Sequence, residues 1–225
     1  MIVIKRGKEP NSLLKFRKEN PDADYESDMP TEVLKDIREQ MWEEQRCLCA
    51  YCMKKIEAPS VVKIEHCRPR HPQDEQEHDK KATLDFKWML GVCYGNSLVR
   101  GVKPEDKTCD AHRGNTELTV NPFDEMSVRK IKYKADGSIY SEDAEINKDM
   151  TETLNLNCQA LSLPQTRKNV LMAEKNRIMR KCRGKSQDAF MRELERTYAS
   201  LVQERNLTPY CGIIISWLES KLKIS

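Results

Sequence analysis

Cys49-Ala50-Tyr51-Cys52, then Ile64-Glu65-His66-Cys67-Arg68-Pro69, then Cys93, then Cys109-Asp110-Ala111-His112-Arg113 decide how this chain is read. A structural zinc ion takes four nitrogen or sulfur ligands in a tetrahedron, and two thiols spaced C-x-x-C supply two corners from one tight turn. Cys49 and Cys52 have that spacing. Cys93 and Cys109 are the second pair, with the stretch Tyr94 to Thr108 read as an insertion within a second knuckle. The bland alternative is that Cys93 and Cys109 are ordinary buried thiols. Cys47 and Cys67 can substitute as ligands, while Cys158, Cys182 and Cys211 sit in helical patterns and read as core residues.

The thiols bracket one acid–histidine pair, Glu65-His66, and a second, Asp110 and His112, follows the last of them. Phosphodiester hydrolysis needs a base to take a proton from water and a divalent cation to neutralise charge at the scissile phosphate. A neutral imidazole suits the first task and carboxylates suit the second, because magnesium prefers oxygen ligands. Val61 to Ile64 reads as a strand delivering Glu65 and His66 at its end. Neighbouring strand residues face opposite ways, so these two can flank one ion only where the strand ends or twists. A short helix opening at Cys109 would present Asp110 and His112 in its first turn.

Composition sets wider bounds. The 225 residues suit one domain with an extension or two small ones, and 38% hydrophobic with 33% charged residues allows a core under a heavily charged surface. The 39 basic and 36 acidic side chains nearly balance at +3, so charge neither demands nor excludes a nucleic-acid partner. Nine cysteines, an odd number, include a C-x-x-C pair. Met1-Ile2-Val3-Ile4, ended by Lys5-Arg6-Gly7-Lys8, is too short for a signal core, and no run reaches a membrane span. The expectation is a cytoplasmic protein using its thiols for metal rather than disulfides.

Around the cysteine-rich block, residues 2–6 read as a short strand. The stretch from Glu9 to Pro30 reads as irregular apart from a helical turn near Leu13–Phe16. Val33, Leu34, Ile37, Met41 and Trp42 recur at helical spacing from Thr31 onward. Residues 71–81 read as an exposed loop, Leu84 to Val92 as a return to the core, and Gly101 to Lys107 again as loop. Ile131 to Tyr140 alternates about Ala135-Asp136-Gly137, a hairpin signal. From Thr151 the pattern turns helical: Phe190, Leu194, Tyr198 and Leu201 share one face, and Ile214, Trp217, Leu218 and Leu222 mark a last helix. The expected organisation is an N-terminal strand-and-helix segment (1–45), a zinc-bearing core (46–124), and a hairpin with a helical region (125–225).

CAYCMKKI, IEHCRPR, WMLGVCYGN, CDAHRGN and NPFD, with LNLNCQAL and PYCGIIISWL further along, together resemble an HNH (His-Me finger) endonuclease, and most closely the PtuB nucleases of Septu and retron-linked antiphage systems. The resemblance implies an α+β fold, a ββα-metal core with a structural zinc followed by a mainly helical region. It implies His66 as general base, Glu65 as ligand to a catalytic Mg2+ or Mn2+, and a third group supplied by Asp110, where the family usually has His or Asn, with His112 as the competing candidate. The family commonly has an asparagine bracing the base where this chain has Trp88; the alternatives are Asn96 in its place or no brace at all. A nucleic-acid substrate, a PtuA-like ATPase partner and, in some systems, a retron reverse transcriptase with its DNA are likewise implied. The rival expectation is a non-catalytic zinc scaffold acting as a nucleic-acid-binding or adaptor module.

Arg68, Arg70 and Arg113 beside the acid–histidine pairs, and Lys130 and Lys132 on the hairpin, are candidate backbone contacts. Arg129 and Lys134 can join them, as can the eight basic residues, against one acid, between Arg167 and Lys185. Few aromatics accompany the basic clusters, so stacking of single strands is not suggested by the pattern. The ordinary reading of such a charged helix is a solvated face.

Overall fold

The computed structural model describes residues 1–68, 70, 80–203 and 207–224. Helices dominate, with two small antiparallel sheets between them. Helix α1 (Asn11–Glu19) and helix α2 (Thr31–Glu44) pack together, because Leu13 on one and Val33, Ile37 and Met41 on the other are buried at helical spacing. The single turn expected near Leu13–Phe16 is thus a nine-residue helix.

The first sheet pairs β1 (Lys63–His66) with β2 (Met89–Val92), in a register that sets Glu65 opposite Leu90 and His66 opposite Met89. All four residues of β2 are buried, as the apolar run from Leu84 suggests. Gln45, at the end of α2, seals the free edge: its amide accepts from the Gly91 N–H at 2.7 Å and donates to the Gly91 carbonyl at 2.6 Å. A short helix α3 (Lys80–Thr83) precedes β2, and α4 (Asp110–Arg113) follows the last thiol. The loop expected over 71–81 lies, up to residue 79, outside the described residues, as does Pro69.

Residues 2–6 do not form the expected strand. Ile4 makes one backbone bond, to the Pro122 carbonyl at 2.9 Å, and no ladder follows it. Side chains anchor the segment instead. The Arg6 guanidinium lies between the Phe86 and Phe123 rings, 4.2 and 4.7 Å from their centroids, and bonds Glu44 Oε2 at 2.6 Å and the Met89 carbonyl.

After helix α5 (Glu125–Arg129), the expected hairpin is present as β3 (Ile131–Tyr133) and β4 (Ile139–Ser141). Helix α6 (Ala144–Lys148) then passes into a π-type turn at Asp149–Thr153. Continuous helix starts later than the pattern from Thr151 suggests. Asn155 and Ser162 hold positive φ angles of 47° and 49°, which break the chain until α7 (Leu163–Cys182) begins. Helices α7, α8 (Gln187–Gln203) and α9 (Gly212–Leu222) pack around Leu171, Ile178, Leu194, Leu201, Ile214 and Leu218. Leu48 and Met53 join that apolar cluster, so the loop carrying the first two thiols rests on the terminal helices. No helix among the described residues is long and apolar enough to cross a membrane.

Candidate functional site

Four thiols converge from three segments. Cys49 and Cys52 come from the turn after α2, Cys93 from the end of β2, and Cys109 from the residue before α4. Their Sγ atoms all lie within 4.8 Å of one another. The separations are 3.9 Å for Cys49–Cys109, 3.7 Å for Cys52–Cys93 and 3.8 Å for Cys93–Cys109. Thiolates placed about 2.3 Å from a tetrahedral ion stand about 3.8 Å apart, so the donor set and its spacing both fit zinc. Among the described residues this is the only group of three or more side chains so gathered. Cys47 and Cys67 stand outside it, and burial pushes the Cys67 thiol up to about 12, where it stays protonated.

The two-knuckle reading holds in part. The Lys54 N–H points at Cys52 Sγ from 3.4 Å, and the Gly95 amide does the same for Cys93. Each thiol thus accepts from the amide two residues on, which bends the backbone around the metal position. Cys109 instead enters from a strained residue, φ 56°, whose N–H bonds the Leu154 carbonyl at 2.8 Å. Gly95 adopts φ 52°, and a Cβ there would fall 1.9 Å from the Thr108 carbonyl oxygen. Only glycine lets the second knuckle lie against the segment that delivers Cys109.

The acid–histidine residues sit just beyond this cluster. Lys63 and Glu65 share a face of β1, and α4 lies against it. Asp110 contacts the Glu65 carboxylate and pairs with Lys63 Nζ. Arg113, whose side chain is 1% exposed, bonds Glu65 Oε1 from the same helix. Its other donors reach Tyr51 Oη at 3.3 Å and the carbonyls of His66, Cys67 and Thr116 at 2.8, 2.8 and 2.7 Å. Tyr51 Oη also donates to Glu65 Oε1 at 3.2 Å. Burial raises the Glu65 carboxyl above the usual range; Arg113 draws it back, and Asp110 pushes it up again.

His66 lies on the opposite face of the strand end, 5% exposed. Its Nε2 is 2.9 Å from the Thr83 carbonyl, which can only accept, so Nε2 carries the proton and Nδ1 holds the lone pair. The Tyr25 ring meets it edge-on at 4.5 Å. Burial lowers the imidazole to about 4, leaving it neutral at physiological pH. An anionic phosphate beside the ring would raise that value again.

Several expected placements change. Arg113 is an interior anchor joining α4 to the end of β1, not a surface cation, because each nitrogen of its guanidinium bonds a protein acceptor and the side chain is almost wholly buried. His112 turns away from Glu65, with Nδ1 donating to the Thr153 carbonyl at 3.0 Å, so Asp110 is the member of the second pair that meets Glu65. Asn96 does not brace His66. Its amide bonds the Asp106 carbonyl at 3.1 Å, and the Thr83 carbonyl does the bracing. Lys130 and Lys132 are surface side chains paired with Asp143 and Glu142 at 2.8 and 2.7 Å. Arg68 and Arg70 remain at the end of β1, over the Trp88 and Tyr25 rings. On α7, Arg167 is buried against the carbonyls of Gly137 and Leu156, while Arg177 and Lys181 pair with Glu193.

Sequence reading passed over Tyr51 and Lys63. The i, i+2 spacing of Lys63 and Glu65 on a predicted strand was the available signal for the second. Tyr51, inside the C-x-x-C turn, gave none.

Arg113→Met is expected to destabilise the protein by about 3–5 kcal/mol, because it leaves Glu65 as a buried carboxylate without its cation. A thermal melt of the purified variant checks this. A melting temperature within a degree or two of the parent would mean the ion pair contributes nothing to the core.

Comparison with protein-family models gives no match to this chain, and comparison with curated proteins gives none either.

Proposed function

We propose that the chain is a metal-dependent endonuclease of the HNH type, hydrolysing phosphodiester bonds in nucleic acid. The observation that carries this reading is the meeting of the Glu65 and Asp110 carboxylates at the end of the strand that ends in His66, a neutral imidazole held in one tautomer. Two carboxylates in contact, Glu65 buried and Asp110 partly so, repel unless a proton or a cation lies between them, and both offer hard oxygen ligands. That donor chemistry suits magnesium or manganese, which keep several waters and take one or two protein carboxylates. An ion so held would neutralise charge on the scissile phosphate and on the departing oxygen.

The chain's own residues supply the remaining steps. His66 Nδ1 takes the proton from the attacking water, while Nε2–H stays on the Thr83 carbonyl and keeps the ring in place. Arg113 and Tyr51 hold Glu65 in position. Lys63, half-exposed beside Asp110, balances charge from the solvent side. The four-thiol cluster fixes the spacing between the strand end and α4, so the two acids meet only while it is intact.

We further propose, on the resemblance of the motifs, that this activity belongs to an antiphage complex with a PtuA-like ATPase, and with a retron reverse transcriptase in some systems. Such a partner would hold the nuclease in check. One observation favours the rival reading of a non-catalytic scaffold: Glu65 is already engaged by Arg113 and Tyr51, and no third ligating side chain joins the two acids among the described residues.

Incubation with plasmid DNA and with total RNA, in magnesium or manganese and with or without the ATPase, separates the two. The nuclease reading expects metal-dependent cleavage of at least one substrate in at least one condition. Intact substrates throughout would favour the scaffold.

A further inference from the structure

Which form of nucleic acid reaches His66 is the next question, and the side chains around the strand end bear on it. Two aromatic rings stand there, each with a cation over it. Tyr25 touches the His66 ring itself, and the Arg70 guanidinium lies 5.2 Å above Tyr25. On the neighbouring strand, the Cys67 N–H donates to the Trp88 carbonyl at 2.8 Å, which sets Trp88 one residue beyond the His66–Met89 pair. The Arg68 guanidinium carbon lies over the Trp88 ring, 4.0 Å from its centroid, and Lys87 Nζ stands 5.3 Å away. Both rings are half-buried, and Arg68 is exposed.

The charges nearby point the same way. A grip on duplex backbone draws its strength from several lysines and arginines that release counterions when phosphates replace them. Here many of the candidates already face an acid of their own. Arg70 pairs with Glu26 at 2.5 Å, Lys87 with Asp85 at 2.6 Å and Lys132 with Glu142 at 2.7 Å. The whole chain carries only +3. Phosphate contacts at this strand end are therefore fewer than its basic residues suggest, and the ring faces offer a second source of affinity. Base–aromatic stacking is strong and indifferent to sequence, but it needs bases that are not already stacked and paired in a duplex.

We propose that the site takes an unpaired strand, DNA or RNA, with a base next to the scissile phosphate stacked on the Trp88–Arg68 pair. This rests on the nuclease reading for the position of the cut, though the binding itself does not require cleavage. Trp88, which stands where related nucleases carry a polar brace, thereby acquires a role of its own: the Thr83 carbonyl holds the base, and the indole holds the substrate.

Binding of the full-length protein to labelled 20-nucleotide DNA and RNA strands and to the corresponding duplexes, with calcium replacing magnesium to prevent cutting, tests the proposal. Fluorescence anisotropy gives the affinity, and tryptophan emission reports stacking. At least one unpaired strand is expected to bind about tenfold or more tightly than its duplex and to quench tryptophan emission. Trp88→Ala should lose about tenfold for that strand and less than twofold for the duplex, and should remove most of the quenching. Trp88→Phe, which keeps a ring and guards against a mere folding defect, should stay within about threefold of the parent. Equal or tighter duplex binding, or an unpaired-strand affinity indifferent to Trp88→Ala, would overturn the proposal even if duplex cleavage depended on His66. Absence of cleavage alongside a Trp88-dependent preference for single strands would instead remove the nuclease reading and leave this one standing.

Discussion

His66→Ala is expected to lower strand cleavage by about 10²–10⁴-fold, the contribution of a positioned general base, while zinc content stays at one ion per chain. The residue sits outside the thiol cluster, so the metal-bound scaffold has no reason to come apart. Some stability will be lost, since the buried His66–Thr83 hydrogen bond is gone, at a cost of about 0.5–1.5 kcal/mol. A melting curve recorded beside the cleavage assay separates that loss from the catalytic one. His66→Gln, which retains an amide donor but no imidazole, should be as inactive as the alanine variant. Cleavage by either variant within a few-fold of the parent would remove His66 from the chemistry.

Loss of the thiol site should act on the fold before it acts on function. Apparent free energies for structural zinc in small domains are about 10–16 kcal/mol, as large as the whole stability of a typical domain at about 5–15 kcal/mol. Cys52→Ser or a strong chelator is therefore expected to loosen the C-x-x-C turn, the loop after β2 and α4 first, because the cluster is what joins these three pieces, while β1 and β2 keep their ladder and their packing on α1 and α2. The three terminal helices bury their own apolar cluster, so far-UV circular dichroism should fall in part rather than to a coil baseline. Limited proteolysis would locate the new cuts before residue 125. An unchanged melting temperature and an unchanged digest after complete zinc removal would show that the thiols are ordinary core residues.

What could be read from the chain beforehand follows from how local each signal is. The C-x-x-C turn, the hairpin at Asp136-Gly137 and the apolar stripes of α2, α8 and α9 are each set by neighbours in sequence, and each is present. Cys93 and Cys109 were reachable because only two ligands were missing from a tetrahedron. The bracing of His66 was not legible, because it falls to the backbone carbonyl of Thr83, and a carbonyl has no residue type to betray it. Arg113 misled for a related reason: arginine is by default a surface residue, and only the Glu65 carboxylate and three waiting carbonyls make it an interior one. The late start of α7 depends on positive φ angles at Ser162 and at Asn155, whose amide is held by the distant carbonyls of Glu105 and Lys107. Trp88 was legible as a departure from the pattern of the resembled nucleases, yet the arginine over its ring was not.

Two different ions are expected to occupy one small fold, zinc among four sulfurs and, on the proposed function, a harder cation between Glu65 and Asp110. Anomalous X-ray diffraction from crystals soaked in manganese, collected on both sides of the zinc and manganese edges, tests it most directly. The account predicts a zinc peak centred among Cys49, Cys52, Cys93 and Cys109, and a separate manganese peak touching both carboxylates. Metal at the thiols alone, with Glu65 still closed on Arg113 in saturating manganese, would contradict it.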